Sequence, residues 1–212
     1  MINVGYLISY DFEFVFLSIK EVYEYADKIY LAVDINRRTW AGNSFSFPDS
    51  FFSKIRAIDE SNKIVLYQDD FYVSSNTPMQ NETRERIMLA EKMGVGWCVQ
   101  LDADEYIFNF GQVAKYLRKN NFLIKNVEKN PVLFQGSLIT LFKILNDGIL
   151  YIENDERFNF ITNSPEFTSA RNNKKIEPHF TNIKVIHQSW ARTSDEVLLK
   201  IKNWGHRDDF DT

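Results

Sequence analysis

The sequence lacks features that mark several classes of protein. A single cysteine, Cys98, among 212 residues excludes an internal disulfide framework and points to a reducing compartment. No uncharged apolar run reaches the ~18 residues of a membrane-spanning helix. A net charge of -4 offers no basic footprint for nucleic acid.

We therefore expect a cytoplasmic protein with no nucleic-acid partner and no transmembrane segment. Peripheral contact with the inner face of the membrane and the oligomeric state stay open.

Apolar and aromatic residues, by contrast, are plentiful. Hydrophobic residues make up 44% of the chain and aromatic residues 15%, with 18 phenylalanines among them. Such a composition supports one sizeable core. No internal repeat, low-complexity tract or linker divides the chain. The prediction is a single domain over residues 1–212.

Predicted strands and helices alternate through the first half of the chain. Apolar runs and helical spacing predict the order strand, helix, strand, helix, strand, helix, strand over residues 2–9, 12–27, 28–34, 51–59, 62–70, 77–93 and 96–102. This alternation is typical of an α/β fold with a mostly parallel central sheet flanked by helices. The resulting prediction for residues 1–108 is a sheet that binds its ligand at one edge.

The pattern changes in the second half, residues 109–212. It predicts a short helix at residues 111–120 and two strands, 131–144 and 148–154, around the turn at 146–148. A long loop at 158–178 follows. The segment 181–192 holds a strand ending near His187, and residues 194–206 form a last helix. We expect this half to be small, antiparallel and rich in loops.

Two helix starts carry capping signals. Thr77 precedes Pro78 and stands three residues before Gln80, which is the spacing of a capping box with proline at the first helical position. Gly94 is the expected end of this helix. Ser194 is the expected cap of the last helix.

Three of the predicted strands end in acidic residues: Asp34, Asp69 with its neighbour Asp70, and Asp102. Open parallel sheets bind ligands beyond the carboxyl ends of their strands, so these carboxylates are candidates for one shared site. An aspartate after a strand can also serve as a turn residue or a helix cap, and that alternative stays open for each of them.

The sharpest pattern is "WCVQLDADEYIF", residues 97–108, in which an apolar strand runs into Asp102, Asp104 and Glu105. In an extended segment, residues i and i+2 face the same way, so Asp102 and Asp104 are predicted to face one ligand. Two carboxylates so close need a cation to offset them, and carboxylate oxygens suit Mg²⁺ or Mn²⁺. The alternative is a solvated acidic turn.

At this point the sequence resembles a known family. The segment "LDADEY" after a strand resembles the DxD motif of GT-A glycosyltransferases, especially the family 2-like group. The opening strand, helix and second strand, and the helix before the motif, follow the same order. The resemblance implies that Asp34 holds the nucleoside, with Asp69 on the same ligand edge, and that Arg84 lies near the nucleotide-sugar. A surface pairing of Arg84 with Glu85 or Glu91 is the alternative.

In the second half the resemblance is less specific. The segment "VIHQSWAR" resembles the strand that supplies a third metal ligand, so His187 joins Asp102 and Asp104 in the implied metal site; a structural role is its alternative. The tail "KIKNWGH" resembles one whose histidine contacts the diphosphate, here His206. The basic loop with Arg171, Lys174 and Lys175 is expected to meet a phosphate-bearing acceptor or solvent.

The reaction implied is the transfer of a sugar from a nucleotide-diphosphate sugar, with a UDP-sugar as the expected donor, to a hydroxyl of a glycan or lipid-linked acceptor. The bound Mn²⁺ or Mg²⁺ offsets the charge of the leaving diphosphate. An inverting enzyme also needs a carboxylate to take the acceptor's proton, and Asp155 with Glu156 is preferred over Glu166. The family implies bacterial surface polysaccharide synthesis.

Two other enzyme classes and a binding module are alternatives to this interpretation. A dehalogenase-type phosphatase also has D-x-D after a strand, but its second aspartate is usually followed by Thr or Val, and here Glu105 follows. A nucleotidyltransferase needs a glycine-rich basic loop after the first strand, where this chain has "SYDFEF". A non-catalytic module that binds only a sugar or nucleotide stays open.

Overall fold

The structure is a computed structural model that describes residues 1–152 and 155–205. Within these residues, nine strands form one sheet: β1 (Ile2–Leu7), β2 (Lys28–Asp34), β3 (Ile64–Asp69), β4 (Trp97–Asp102), β5 (Glu105–Ile107), β6 (Leu133–Ile144), β7 (Ile149–Ile152), β8 (Arg157–Thr162) and β9 (His179–His187). The α-helices are α1 (Val15–Val22), α2 (Ser50–Ile58), α3 (Pro78–Met93), α4 (Phe110–Lys119) and α5 (Ser194–Asn203).

The N-terminal half of the sheet is parallel. Its strand order is β3-β2-β1-β4, and the register pairs Asp34 with Asp69 and Leu7 with Asp102. All four strands therefore end at one edge of the sheet, as the alternation of elements predicts. The predicted α/β fold class, a central parallel sheet flanked by helices, is confirmed.

The C-terminal half of the sheet holds more strand than the sequence predicts. Strand β8 lies between β4 and β6 and is antiparallel to both, although its residues were predicted as loop. The alternation of polar and apolar residues that begins at Arg157 breaks off, because all residues from Asn159 to Thr162 are buried and a bulge opposite Phe134 and Gln135 interrupts the pairing. Short strand β5, which continues from the acidic segment and pairs with β9, was also missed.

The predicted hairpin is present, with β6 and β7 antiparallel and Ile144 opposite Ile149. Strand β9 lies on the other side of β6 and is parallel to it.

Helices cover both faces of the parallel strands. On one face, α1, α2 and α4 pack on Val4, Tyr6 and Trp97, and on the other face α3 packs through Leu89 and Met93. Helix α3 comes so close to β1 that a Cβ atom at Gly5 would lie 2.7 Å from the Sδ atom of Met93. Within the described ranges, no helix has the length and apolar character to cross a membrane.

The ends of the helices mostly follow the sequence signals. Thr77 and Gln80 form the predicted capping box of α3, and Gly94 follows its last turn. The predicted first helix is shorter than residues 12–27, because it opens with a 3₁₀ turn at Phe12–Phe14 and ends at Val22. The cap of α5 is Thr193, whose hydroxyl accepts a hydrogen bond from the backbone N–H of Glu196, and not Ser194.

The cap assignment predicts a difference between two adjacent exposed residues. Thr193→Ala removes the hydroxyl that caps α5 and should lower the free energy of unfolding by about 1 kcal/mol. Ser194→Ala, at the first helical position, should change it by less than ~0.5 kcal/mol. Urea denaturation of both variants measures the effect, and a larger loss for Ser194→Ala would contradict the assignment.

Candidate functional site

A cavity of about 520 Å³ opens where β1 and β4 end. Strand β1 has β2 on one side and β4 on the other. The order in which successive strands are added to the sheet therefore reverses direction between β1 and β4. Such a switch point is where open α/β sheets bind ligands. The cavity walls include Tyr10, Asp11, Trp40, Asp102, Asp104, Glu156, Arg171, His187, Trp190 and Lys200.

Asp102 is the last residue of β4, and two arginines bind its carboxylate. The Nη2 atom of Arg86, from α3, lies 2.6 Å from Oδ1, and that of Arg171, from the loop after β8, lies 3.0 Å from Oδ2. Burial would raise the pKa of Asp102, but the two guanidinium groups outweigh it and lower that pKa. Asp102 is therefore an ionised carboxylate at neutral pH.

Asp104 is buried and has a different set of partners. Its Oδ2 atom lies 2.9 Å from Nζ of Lys200 and 3.3 Å from Nε2 of His187, and Arg192 also contacts it. Burial opposes ionisation, but Lys200, His187 and Arg192 together hold the pKa of Asp104 well below its usual range. His187 reaches this position because β9 pairs with β5, which begins directly after Asp104.

Asp102 and Asp104 thus do not lie on one side of an extended chain, as their spacing predicts. Residues 103 and 104 form a turn between β4 and β5, and the two carboxylates bind separate cations. Both nevertheless line the same cavity. Their predicted role as metal ligands with His187 stays a prediction.

Glu105 has a structural place in the acidic block. Its Oε2 atom accepts a hydrogen bond from the backbone N–H of Asp102 at 2.8 Å, and Oε1 accepts one from Arg171 at 3.0 Å. Burial raises its pKa despite Arg171. Glu105 therefore closes the turn and helps to fix Arg171 beside Asp102.

Asp11 is a further, partly buried carboxylate of the cavity. It accepts a hydrogen bond from Arg192 at 3.1 Å. Burial and the nearby Asp104 raise its pKa, so it takes up a proton more readily than an exposed aspartate does.

Asp34 and Asp69, predicted to bind the nucleotide, lie at the predicted edge but are not among the cavity walls. Four backbone N–H groups, those of residues 36, 38, 71 and 72, donate to the two oxygens of Asp34. Asp69 accepts hydrogen bonds from the hydroxyl of Tyr67 and the backbone N–H of Asp70. In this structure both carboxylates hold the loops that follow their strands, and their nucleotide role stays a prediction.

Arg84 donates to the backbone oxygen of Asp70 at 3.3 Å and lies away from the cavity walls. Among the described residues, it makes neither of the surface ion pairs weighed for it. Of the proposed pair of bases, Glu156 lines the cavity and Asp155 does not. His206 lies outside the described residues.

Three cations of the site were not identified from the sequence: Arg86, Arg192 and Lys200. For Arg86 a signal exists, because Glu82 and Arg86 are spaced i,i+4 on the same helical face as Leu89 and Met93. Lys200 gives no such signal. It is buried while its apolar neighbours Leu199 and Ile201 are exposed.

Comparison with known proteins finds only distant structural similarity. No protein-family model and no curated protein matches the chain. One similar solved structure is S. aureus TarS 1-349, with 8% identity over 66% of this chain and 36% of that chain at a TM-score of 0.39. Another is mannose-1-phosphate geranyltransferase from Thermus thermophilus, with 12% identity over 71% of this chain and 47% of that chain at a TM-score of 0.32. The chain thus spans less than half of either structure.

These likenesses are too weak to assign an activity. The class that the structure itself defines is an α/β protein with a charged cavity at the switch point of its parallel strands.

The position of Arg86 predicts a large effect on stability. Arg86→Met leaves Glu82 and Asp102 without their shared buried cation and should cost about 3–5 kcal/mol. Arg84→Met, on the same helix but outside this cluster, should cost less than ~0.5 kcal/mol. Chemical denaturation at pH 7 tests the pair, and similar losses in both variants would contradict the buried assignment.

Glu85 predicts a dependence of stability on pH. Burial raises the pKa of its carboxyl group to about 8. A hydrogen bond of 2.6 Å donated by Nε1 of Trp40 lowers this pKa but does not offset the burial. Glu85 thus keeps its proton in the folded state between about pH 4.5 and 8, where the unfolded chain releases it. This group therefore favours folding fully below about pH 4.5, and its contribution is lost as the pH rises towards 8.

Relative to Glu85→Gln, the wild-type protein should lose stability between pH 5 and pH 8 by at most ~1.4 kcal/mol per pH unit. Urea denaturation at several pH values measures this difference. Exposed Glu91→Gln on the same helix is the control and should leave the pH profile of the wild type unchanged. A Glu85→Gln profile parallel to that of the wild type would contradict the raised pKa.

Proposed function

We propose that the protein is a glycosyltransferase that moves a sugar from a nucleotide-diphosphate sugar to an acceptor hydroxyl. The observation that carries the proposal is the cavity of about 520 Å³ at the switch point between β1 and β4, with the Asp102-Ala103-Asp104 segment in its wall. Its size lies within the range of ligand pockets, and its place is where α/β sheets bind nucleotides.

The walls of the cavity suit the parts of such a donor. Trp40 and Trp190 offer aromatic surface for a nucleoside base or a sugar ring. Arg171 and Lys200 offer positive charge for phosphate groups. Aromatic and cationic side chains are thus combined in one cavity.

For the acceptor, we assign the role of general base to Glu156. Its place in the cavity wall fits a carboxylate that takes the proton of the acceptor hydroxyl as the hydroxyl attacks the donor sugar. Asp155, the other member of the predicted pair, is not among the lining residues.

The identity of the donor and the acceptor rests on the family resemblance alone. We propose a UDP-sugar as donor and a glycan or lipid-linked acceptor in bacterial surface polysaccharide synthesis. The proposed mechanism uses no Mn²⁺ or Mg²⁺, because protein cations already occupy the carboxylates that would bind it.

A donor screen tests the proposed function. UDP-, GDP-, CMP- and dTDP-sugars are added to the wild-type protein with and without Mn²⁺ or Mg²⁺, and binding and release of the free nucleotide are measured. We expect one base to bind preferentially and its sugar to be released or transferred. Absence of binding for every nucleotide at millimolar concentration would contradict the proposal. Binding with no release or transfer under any condition would favour the non-catalytic module.

The role of Glu156 predicts a split between binding and turnover. Glu156→Gln should keep the affinity for the donor within about twofold and lower the turnover by about 100-fold or more, because only the proton acceptor is lost. The control is Glu166→Gln, which changes an exposed glutamate paired with Lys175 and should leave both unchanged. An active Glu156→Gln variant would remove Glu156 from the mechanism.

A further inference from the structure

Cationic side chains of the protein itself surround the carboxylates of Asp102 and Asp104. Oδ2 of Asp104 is contacted by Lys200, Arg192 and His187 at once. Both oxygens of Asp102 are bound by arginines, one by Arg86 and the other by Arg171. Two neighbouring carboxylates require positive charge, which is why the sequence predicts a divalent ion here. The protein's own cations already supply that charge.

A divalent ion does not fit this arrangement. Binding it through Oδ2 of Asp104 would displace Lys200 and Arg192, and would leave two buried cations without their partner. An ion at the other oxygen, Oδ1, would lie beside the same two cations and be repelled by them. In the part of the chain that the structure describes, no group of three or more His, Cys, Asp or Glu side chains could hold a metal ion.

Most of the buried unpaired polar atoms of the described residues around Asp102 and Asp104 are guanidinium N–H donors; Oδ1 of Asn159, in the cavity wall, is an acceptor. Among the described residues, Nε and Nη1 of Arg171 and Nη1 of Arg86 are buried and have no hydrogen-bond partner. Buried N–H groups without an acceptor are costly, so they mark a position where an acceptor is expected. For a cationic guanidinium, an anion is the acceptor that recovers most of the hydrogen-bonding free energy that the unpaired N–H groups lose.

Two of the cations around the aspartates, Arg171 and Lys200, line the cavity. Arg171 is 8% exposed and lies between Asp102, Glu105 and the ring of Phe158, which is 4.5 Å from its Cζ atom. Lys200 has three N–H groups, and Nζ contacts Asp104 at 2.9 Å and His187 at 3.3 Å. Both residues have further N–H groups that can donate to a phosphate oxygen without leaving Asp102 or Asp104.

We propose that Arg171 and Lys200 bind the diphosphate of the donor directly, so that donor binding requires no divalent cation. This inference rests on the proposed function and specifies how its leaving group is neutralised. The carboxylates have the role of positioning residues: Asp102 holds Arg171 and Asp104 holds Lys200 in the cavity wall. Buried Arg86 and Arg192 complete the two clusters.

The test compares binding with and without metal in the wild-type protein. Calorimetry measures the affinity for UDP, GDP, dTDP and inorganic pyrophosphate, first in EDTA and then in excess Mn²⁺. We expect a nucleoside diphosphate and pyrophosphate to bind in EDTA with affinities within about threefold of those in Mn²⁺. Binding that appears only with Mn²⁺ would overturn the inference and leave the proposed function standing.

The same measurement separates the two proposals. Pyrophosphate binding in EDTA without binding of any nucleoside diphosphate would support the anion site and overturn the nucleotide-sugar function. If neither ligand binds in either condition, both proposals fail.

Variants identify the residues. In EDTA, Arg171→Met and Lys200→Met should each weaken binding of the nucleoside diphosphate about tenfold or more, which corresponds to one lost charged hydrogen bond. Lys174→Met, an exposed cation on the same loop as Arg171, is the matched control and should change it less than twofold. Unchanged affinity in both cavity variants would overturn the assignment.

Both cavity residues are buried, so the folding of each variant is followed by thermal melting. Arg171→Lys retains the positive charge and should recover part of the affinity lost in Arg171→Met. If the methionine variants do not fold, the comparison of EDTA with Mn²⁺ in the wild type decides the proposal.

Discussion

The structure depends on the neutralisation of the carboxylates at the end of β4. Asp102 and Asp104 are carried to the switch point by a buried strand, where charge without a partner would be costly. Four cations satisfy them: Arg86 from α3, Arg171 from the loop after β8, Arg192 before α5, and Lys200 from α5. The same pairing keeps both aspartates ionised, because it lowers the pKa of each.

This charge pairing also joins the two halves of the sequence. Partners of Asp102 and Asp104 lie up to 96 residues away along the chain, as in the hydrogen bond between Lys200 and Asp104. Strand β9 adds His187 through its pairing with β5. The cavity walls therefore come from both halves, so the site forms only when the C-terminal segments pack on the end of the parallel sheet.

The sequence predicts the parallel half well, because its signals are local. Apolar runs give β1 to β4, the Thr77 box gives the start of α3, and the acids at the strand ends mark the ligand edge. Strand β8 and the partners of the aspartates depend on contacts between distant segments, which periodicity does not record. The sequence could thus place Asp102 and Asp104 at the end of β4, where the cavity lies, but could not identify their partners Lys200 and Arg192. The turn at residues 103–104 separates two carboxylates that an extended chain would align.

We propose that protein cations, and not a metal ion, neutralise the ligand at this site. Crystals grown with a nucleoside diphosphate and excess Mn²⁺, with anomalous diffraction measured at the manganese absorption edge, test it most directly. We expect phosphate oxygens within hydrogen-bonding distance of Arg171 and Lys200, and no anomalous peak at Asp104. A manganese peak bound by Asp102 or Asp104, with the diphosphate attached to it, would show that a metal ion neutralises the ligand instead.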